Sequence, residues 1–246
     1  MALLELKDIK KNYQQGSVEI PALKGIDLMT EKGEFITIYG SSGSGKTTIL
    51  NIIACLDKPT SGKIYFNGSD MTNLPNRDRI QFRRQNIGII SRNYKLIPVL
   101  TVYENVEFAL KLVDKYSKME LKDRVVKILT EVGLAGLEKR RPAELTPVQK
   151  QRLVVARALV KEPELVLADQ PTANLDCKSR QELLEVMVKM NEELGTTFII
   201  FTHESQVLDY AFRVLELSDG LISHCGQGEC EETGFAIIDT LLLYLL

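Results

Sequence analysis

Nine residues, Gly40-Ser41-Ser42-Gly43-Ser44-Gly45-Lys46-Thr47-Thr48, constrain this chain more than any other stretch. They fit the P-loop pattern G-x-x-x-x-G-K-S/T, and both flanks are of the required kind. Glu34-Phe35-Ile36-Thr37-Ile38-Tyr39 reads as an apolar strand, and Ile49-Leu50-Asn51-Ile52-Ile53-Ala54 as a helix. Strand, glycine-rich turn and helix together cradle phosphate. Glycines let the backbone wrap an anion without Cβ clashes, successive N–H groups point inward, and the helix N-terminus adds partial positive charge. In such a cradle Lys46 reaches the β- and γ-phosphates and the Thr47 hydroxyl binds Mg2+. ATP and Mg2+ are therefore the expected ligands, with Gly40 through Thr48 as the binding residues.

The rest of the chain places this unit in an α/β protein. Leu3 to Ile9 alternates partly with period two, Ile20 to Leu28 is strand-like, and Glu31-Lys32-Gly33-Glu34 is a turn into the P-loop strand. Thr60-Ser61-Gly62-Lys63 reads as a second turn, and Ile64-Tyr65-Phe66 followed by Asn67-Gly68 as a hairpin. Between Pro98 and Leu137, Val102 to Leu110 and Glu120 to Val132 carry apolar residues at helical spacing and suggest an inserted helical subdomain. Then come a helix from about Val148 to Val160, a strand Leu165 to Ala168, a helix from about Ser179 to Leu194 and a strand Thr197 to Phe201. Alternating strands and helices imply a mainly parallel sheet, with ligands beyond the carboxyl ends of its strands. The P-loop, Asp169 and His203 all stand at such ends.

Bulk properties bound the function. The charge of −2 over 246 residues gives no basic face for nucleic acid. Met1-Ala2-Leu3-Leu4-Glu5 turns charged at once, unlike a signal peptide, and no run of ~18 apolar residues could span a bilayer. Cys55, Cys177, Cys225 and Cys230 are scattered, and a P-loop protein of the cytoplasm would keep them reduced. Cys225 and Cys230, even with His224, are too few for a metal site and read as part of a polar loop. The apolar stretch from Gly234 to Leu246 reads as a helix packed on the core or on a partner, or else a membrane-surface or dimerisation tail.

Leu165-Val166-Leu167-Ala168-Asp169 is the Walker B arrangement, an apolar strand ending in a carboxylate that holds Mg2+. With Gln170-Pro171-Thr172-Ala173-Asn174-Leu175-Asp176, with Gln151 to Leu159, with Leu100-Thr101-Val102-Tyr103-Glu104-Asn105-Val106 and with Thr202-His203, the chain resembles the ATP-binding subunits of ABC transporters over residues 3 to 223. The Leu56-Asp57-Lys58-Pro59-Thr60 phrase looks most like the lipoprotein-release and macrolide-efflux branch. The resemblance implies a P-loop (RecA-like) sheet core with an antiparallel β subdomain and a helical subdomain over about 93–155, all within 1–223, followed by a tail over 224–246. It also implies that Tyr13 stacks on adenine, that His203 senses the phosphate and that Asp176 acts across a dimer. The partners it implies are membrane-spanning transporter subunits, and a second ATP-binding subunit in a homodimer or heterodimer. The chain would then be cytoplasmic, peripheral on the inner face of the cell membrane.

Three positions depart from that family. Gln170 stands where a Glu serves as general base, and a neutral amide cannot take a proton from water; such terms are worth ~10²–10⁴ in rate. Leu145-Thr146-Pro147-Val148-Gln149 replaces the signature Leu-Ser-Gly-Gly-Gln. There Thr146 keeps a hydroxyl that can cap a helix, Pro147 supplies no N–H, and Val148 adds a branched side chain. Arg92 follows Ser91 near the position of the Q-loop Gln; a guanidinium there would repel a divalent cation but could pair with the γ-phosphate. Three departures favour a naturally degenerate subunit over an engineered trap. The reading is an ATP-binding subunit with weak or absent hydrolysis; the alternative is an ATP-gated regulatory or resistance module.

Overall fold

Two 14-residue strands, β1 (Ala2–Gln15) and β2 (Val18–Glu31), open the chain as an antiparallel ribbon. The structure, a computed structural model, describes residues 2–113 and 115–224. The apolar stretch after Gly234, with Cys225 and Cys230, lies outside the described residues. Next come β3 (Phe35–Tyr39), α1 (Lys46–Ile53), β4 (Ser61–Phe66) and β5 (Ser69–Asp70). Asn67 and Gly68 both have positive φ, the twist a two-residue hairpin turn needs, so β4 and β5 pair as expected.

The expected turn at 60–63 is a correction. Ser61, Gly62 and Lys63 form the first half of β4, with Lys63 opposite Lys7 and Ser61 opposite Lys10. The ladder shifts register between Lys7 and Lys10, and Gly62 (φ +96°) sits at that bulge, where a Cβ would strike the Lys7 and Asp8 carbonyls. The glycine marks a bulge in a strand, not the end of one.

The chain continues through α2 (Asn76–Asn86), β6 (Ile87–Ser91), α3 (Val102–Lys111), α4 (Lys118–Glu131), α5 (Pro147–Leu159), β7 (Leu165–Asp169), α6 (Cys177–Leu194), β8 (Thr197–Thr202), β9 (Arg213–Ser218) and β10 (Leu221–His224). One sheet is antiparallel, in the order β2-β1-β4-β5. The other has six strands, β10-β9-β3-β8-β7-β6, parallel except for β10. This is the α/β class with a mainly parallel core, an antiparallel β sheet and helices inserted between β6 and β7.

Period-two alternation divides the parallel strands between two cores. Leu165, Leu167, Ile199, Phe201, Ile36 and Ile38 face α1 and the antiparallel sheet. Val166, Ala168, Phe198, Ile200 and Phe35 face α5, α6 and the inserted helices. Because α5 buries Leu153, Val154 and Leu159 in the second core together with Val106 and Leu129, the inserted helices share their packing with the sheet that carries the P-loop.

The helix α2 has no strong apolar period and was not expected from the sequence. It is anchored by Phe82, edge-on to Phe66 at 4.8 Å, and by Lys161, whose ammonium donates to the carbonyls of Arg83, Arg84 and Ile87 at 3.1, 2.9 and 2.6 Å. A cation at a helix C-terminus satisfies orphan carbonyls and opposes the negative end of the dipole. Burial, helped by the Arg83 charge, pushes the Lys161 amine down to about 8. Lys161→Met would leave these carbonyls unpaired and is expected to cost roughly 1–3 kcal/mol. Urea denaturation checks this as a lower midpoint at unchanged slope.

Candidate phosphate-binding site

Four adjacent parallel strands, β3, β8, β7 and β6, end nearly level. Tyr39 pairs with Thr202, Phe201 with Asp169, and Asp169 with Ser91. The next residues, Gly40, His203, Gln170 and Arg92, therefore emerge along one sheet edge about 15 Å long, from a spacing of roughly 4.8 Å per strand. Two lateral bonds hold the edge together: the Gly40 N–H donates to the Thr202 carbonyl at 3.1 Å and the Gln170 N–H to the Phe201 carbonyl at 2.8 Å.

At β3 the chain turns sharply into α1. A Cβ at Gly40 would collide with the Leu217 carbonyl oxygen and the Ser44 hydroxyl, so only glycine lets the loop pass this close to β9. Lys46 is buried beneath the loop, and its ammonium donates to the Gly40 and Ser41 carbonyls at 2.6 and 2.5 Å and to the Ser44 hydroxyl at 3.2 Å. Ser41, Ser42, Gly43 and Thr47 are exposed, with Gly45 and Thr48 half-buried. The result is a loop held rigid from below and open above, the shape that admits an oxyanion.

Charge is concentrated opposite the loop. Burial pushes the Asp169 carboxyl up, and the cationic Lys46, Lys95 and Arg92 oppose that rise. Burial pulls the Lys46 ammonium down, against the attraction of Asp169. Thr47 and Asp169 are both hard oxygen donors, suited to Mg2+. No cluster of three or more His, Cys, Asp or Glu side chains among the described residues could hold a metal by itself. A metal held by these two residues would thus need phosphate oxygens to complete its shell.

Arg92 and Gln170 meet directly: the guanidinium Nη1 donates to the Gln170 Oε1 at 3.0 Å. Gln170 stands at φ +47°, a strained conformation for a residue with a side chain. The loop carrying Arg92 is tied down as well. The Arg92 carbonyl accepts from Asn174 Nδ2 at 3.3 Å, and the carbonyls of Tyr94 and Lys95, two and three residues on, accept from the forked Arg157 guanidinium at 2.8 and 2.6 Å. Tyr94 and Lys95 both have positive φ, and Arg157 on α5 holds that strained pair. His203 is exposed beside this cluster. Its neighbour Glu204 accepts from the Thr172 hydroxyl at 2.7 Å and pairs with Arg180 at 3.3 Å, joining the loops after β7 and β8.

Other residues singled out in the sequence stand apart. Thr146 caps α5, and its hydroxyl accepts from the Gln149 N–H at 3.3 Å while Gln149 Oε1 accepts from the Thr146 N–H at 3.0 Å. That reciprocal box uses both polar side chains, and Pro147 at the first helical position has no N–H to offer. Val148 turns partly into the helical core. Asp176 caps α6 through the Ser179 N–H and hydroxyl, both at 2.9 Å, and these bonds hold its carboxyl below the usual range. Tyr13 is 40% exposed, with its hydroxyl donating to Asp57 at 3.2 Å and the Lys11 ammonium 5.1 Å from its ring. No hydrogen bond or ring contact joins it to residues 40–48 among the described residues. Lys95, Asn174, Arg157 and Glu204 were missed in the sequence, because each acts through contacts distant along the chain.

The profile of the family described as ABC transporter matches residues 23–173. The macrolide export ATP-binding/permease protein MacB of Syntrophobacter fumaroxidans is 40% identical over 223 residues, which are 90% of this chain but 31% of that protein. The chain thus spans about a third of the length of the MacB relatives it matches. The lipoprotein-releasing system ATP-binding protein LolD of Idiomarina loihiensis is 37% identical over 92% of this chain and 99% of its own length. Among solved structures, a dimeric post-hydrolysis state of the ATP-binding cassette MJ0796, bound to ADP and Pi, superposes with a TM-score of 0.83 at 38% identity, covering 90% of this chain and 97% of that one. MJ0796 comes from Methanocaldococcus jannaschii.

The close passage at Gly40 yields a stability test. Gly40→Ala must shift backbone and is expected to cost about 1–3 kcal/mol, lowering the melting temperature by roughly 2–12 °C at ~2–4 °C per kcal/mol. Ser42→Ala, on the exposed side of the loop, is expected to stay within ~2 °C of the parent (±0.5 kcal/mol). Differential scanning calorimetry of both variants measures the contrast.

Proposed function

The chain belongs to the ABC transporter ATP-binding family, and from that premise we propose that it binds ATP with Mg2+ at Gly40–Thr48, dimerises around nucleotide and hydrolyses it slowly or not at all. The observation that carries this reading is the composition of the level strand ends. The residues that hold phosphate are present: the loop, Lys46, Thr47 and Asp169. The group that should accept a proton from water is an amide whose one side-chain oxygen already receives the Arg92 N–H. Bound Mg2+ would neutralise charge on the phosphate oxygens. Lys46 fixes the loop and supplies a cation, Asp169 and Thr47 offer metal-facing oxygens, and His203 stands at the end of β8 for the terminal phosphate. Tyr13 is the aromatic surface for adenine.

Dimerisation follows the MJ0796 cassette, whose dimeric structures share this fold. There the altered end of α5 would face a partner's nucleotide with fewer backbone donors, since the N–H groups of Thr146 and Gln149 are bonded within the cap and Pro147 has none. A membrane partner is supported by a groove of about 500 Å3 between α2, β6, α3 and α5. Its apolar lining includes Phe108 and Leu112, 44% and 42% exposed, and its exposed basic residues are Arg84 and Lys95. MacB joins an ATP-binding part to a permease in one protein; this chain would meet membrane-spanning chains through that groove, at the inner face of the membrane. No helix among the described residues is long and apolar enough to cross a membrane.

Phosphate release at saturating Mg-ATP is expected below about 0.1 s⁻¹, since a missing general base costs ~10²–10⁴ against ordinary rates of ~1–10 s⁻¹. Lys46→Ala is expected to remove ATP binding. Turnover at 1 s⁻¹ or faster would contradict the slow-hydrolysis reading, and binding unchanged in the Lys46 variant would contradict the site.

A further inference from the structure

Arg92 and Gln170 are two departures from the family pattern that lie 78 positions apart, yet they touch in the fold. Each stands directly beyond the end of its strand, β6 and β7, whose last residues Ser91 and Asp169 are register partners. The contact occupies one of the two lone pairs of the one side-chain acceptor that Gln170 has. Its amide NH2, and the N–H groups of Arg92 not used on Gln170, are all donors. Arg92 forms no ion pair among the described residues, although its charge reaches Asp169. A surface rich in donors, with a full positive charge, matches a phosphate oxyanion. It offers nothing to accept a proton from water.

The pair is also held in place. Gln170 is fixed at φ +47° by its N–H bond to Phe201. Asn174 holds the Arg92 carbonyl, and Arg157 holds the carbonyls of Tyr94 and Lys95 in the same loop. The backbone of the Arg92 loop is therefore braced, the guanidinium is held to Gln170 by one bond, and both Arg92 and Lys46 act on the same carboxylate, Asp169.

We propose that Arg92 and Gln170 act as one guanidinium–amide clamp on the terminal phosphate of a nucleoside triphosphate, supplying the countercharge that a divalent cation otherwise supplies. This rests on the reading that ATP binds at Gly40–Thr48. The clamp makes triphosphate binding largely independent of Mg2+ and leaves diphosphate binding, which lacks the clamped group, indifferent to Arg92. It also makes the two residues one energetic unit, because Gln170 orients the guanidinium rather than acting alone.

The test is equilibrium binding of ATP and ADP, by calorimetry on the full chain, in Mg2+ and in EDTA. The parent is expected to keep its ATP affinity within about tenfold on chelation. Arg92→Gln is expected to lose on the order of 10- to 100-fold in ATP affinity in EDTA, the scale of a charge-assisted hydrogen bond, with ADP binding changed less than about twofold. Gln170→Ala is expected to weaken ATP in EDTA as well, and the double variant to be no weaker than Arg92→Gln alone, the non-additivity of a coupled pair. Circular dichroism confirms that each variant is folded, and Lys46→Ala provides the control that removes the phosphate cradle itself. Loss of parent ATP binding in EDTA, an Arg92 variant with unchanged metal-free affinity, or additive losses in the double variant would each overturn the clamp. Absence of ATP binding in Mg2+ would overturn the underlying site and the clamp with it.

Discussion

The in-register ending of β3, β8, β7 and β6 is the constraint on which everything functional here depends. Parallel strands whose ends differ by no more than one residue in register deliver their following residues to a single edge, and backbone bonds from Gly40 and Gln170 to β8 keep two of the loops from drifting. No single loop makes the site. The P-loop contributes a cradle, β7 a carboxylate and an amide, β8 a histidine, and β6 a guanidinium. A slip of one residue in any of these pairings would move a group by more than 3 Å and turn its side chain to the other face.

Electrostatics then decide what such an edge can do. Lys46, Lys95 and Arg92 surround one carboxylate, Asp169. Three cations against one anion suit a ligand that brings several negative charges, and the cost of keeping like charges close is relieved when it binds. Directly after Asp169 the edge carries an amide bonded to a guanidinium, and on the reading proposed above that is where an acceptor for a proton from water would stand. The same tuning extends to α5, which begins with a self-satisfied cap at Thr146 and Gln149 and, further along, holds the Arg92 loop through Arg157. One helix thus connects the capped Thr146 end to the Arg92 loop.

Much of this was legible in the sequence, and the reasons for the remainder are physical. The P-loop, the β7 carboxylate and the helices α3 to α6 announce themselves through local spacing, because their signals lie within a turn or a strand. Gly62 misled for the opposite reason: a glycine that reads locally as a turn is required by a bulge against β1, which only the pairing reveals. The helix α2 was invisible because its support, Lys161, comes from a loop 74 to 78 residues away. Arg92 and Gln170 were each conspicuous as departures, but their contact belongs to the sheet register and to no local pattern. Asn174, Arg157 and Glu204 show the same limit, each acting through a partner that sequence spacing does not bring near.

The central claim is that this chain holds ATP and leaves it uncleaved. The most direct measurement mixes excess protein with Mg-ATP, quenches with acid at times from 0.1 s to an hour and separates ATP from ADP by chromatography, with gel filtration of the same mixture to size the nucleotide-bound species. ATP still intact at 1 s, with conversion slower than about 0.1 s⁻¹, in a dimer-sized species is the expected result. Conversion to ADP at 1 s⁻¹ or faster, or no nucleotide retained at all, would contradict it.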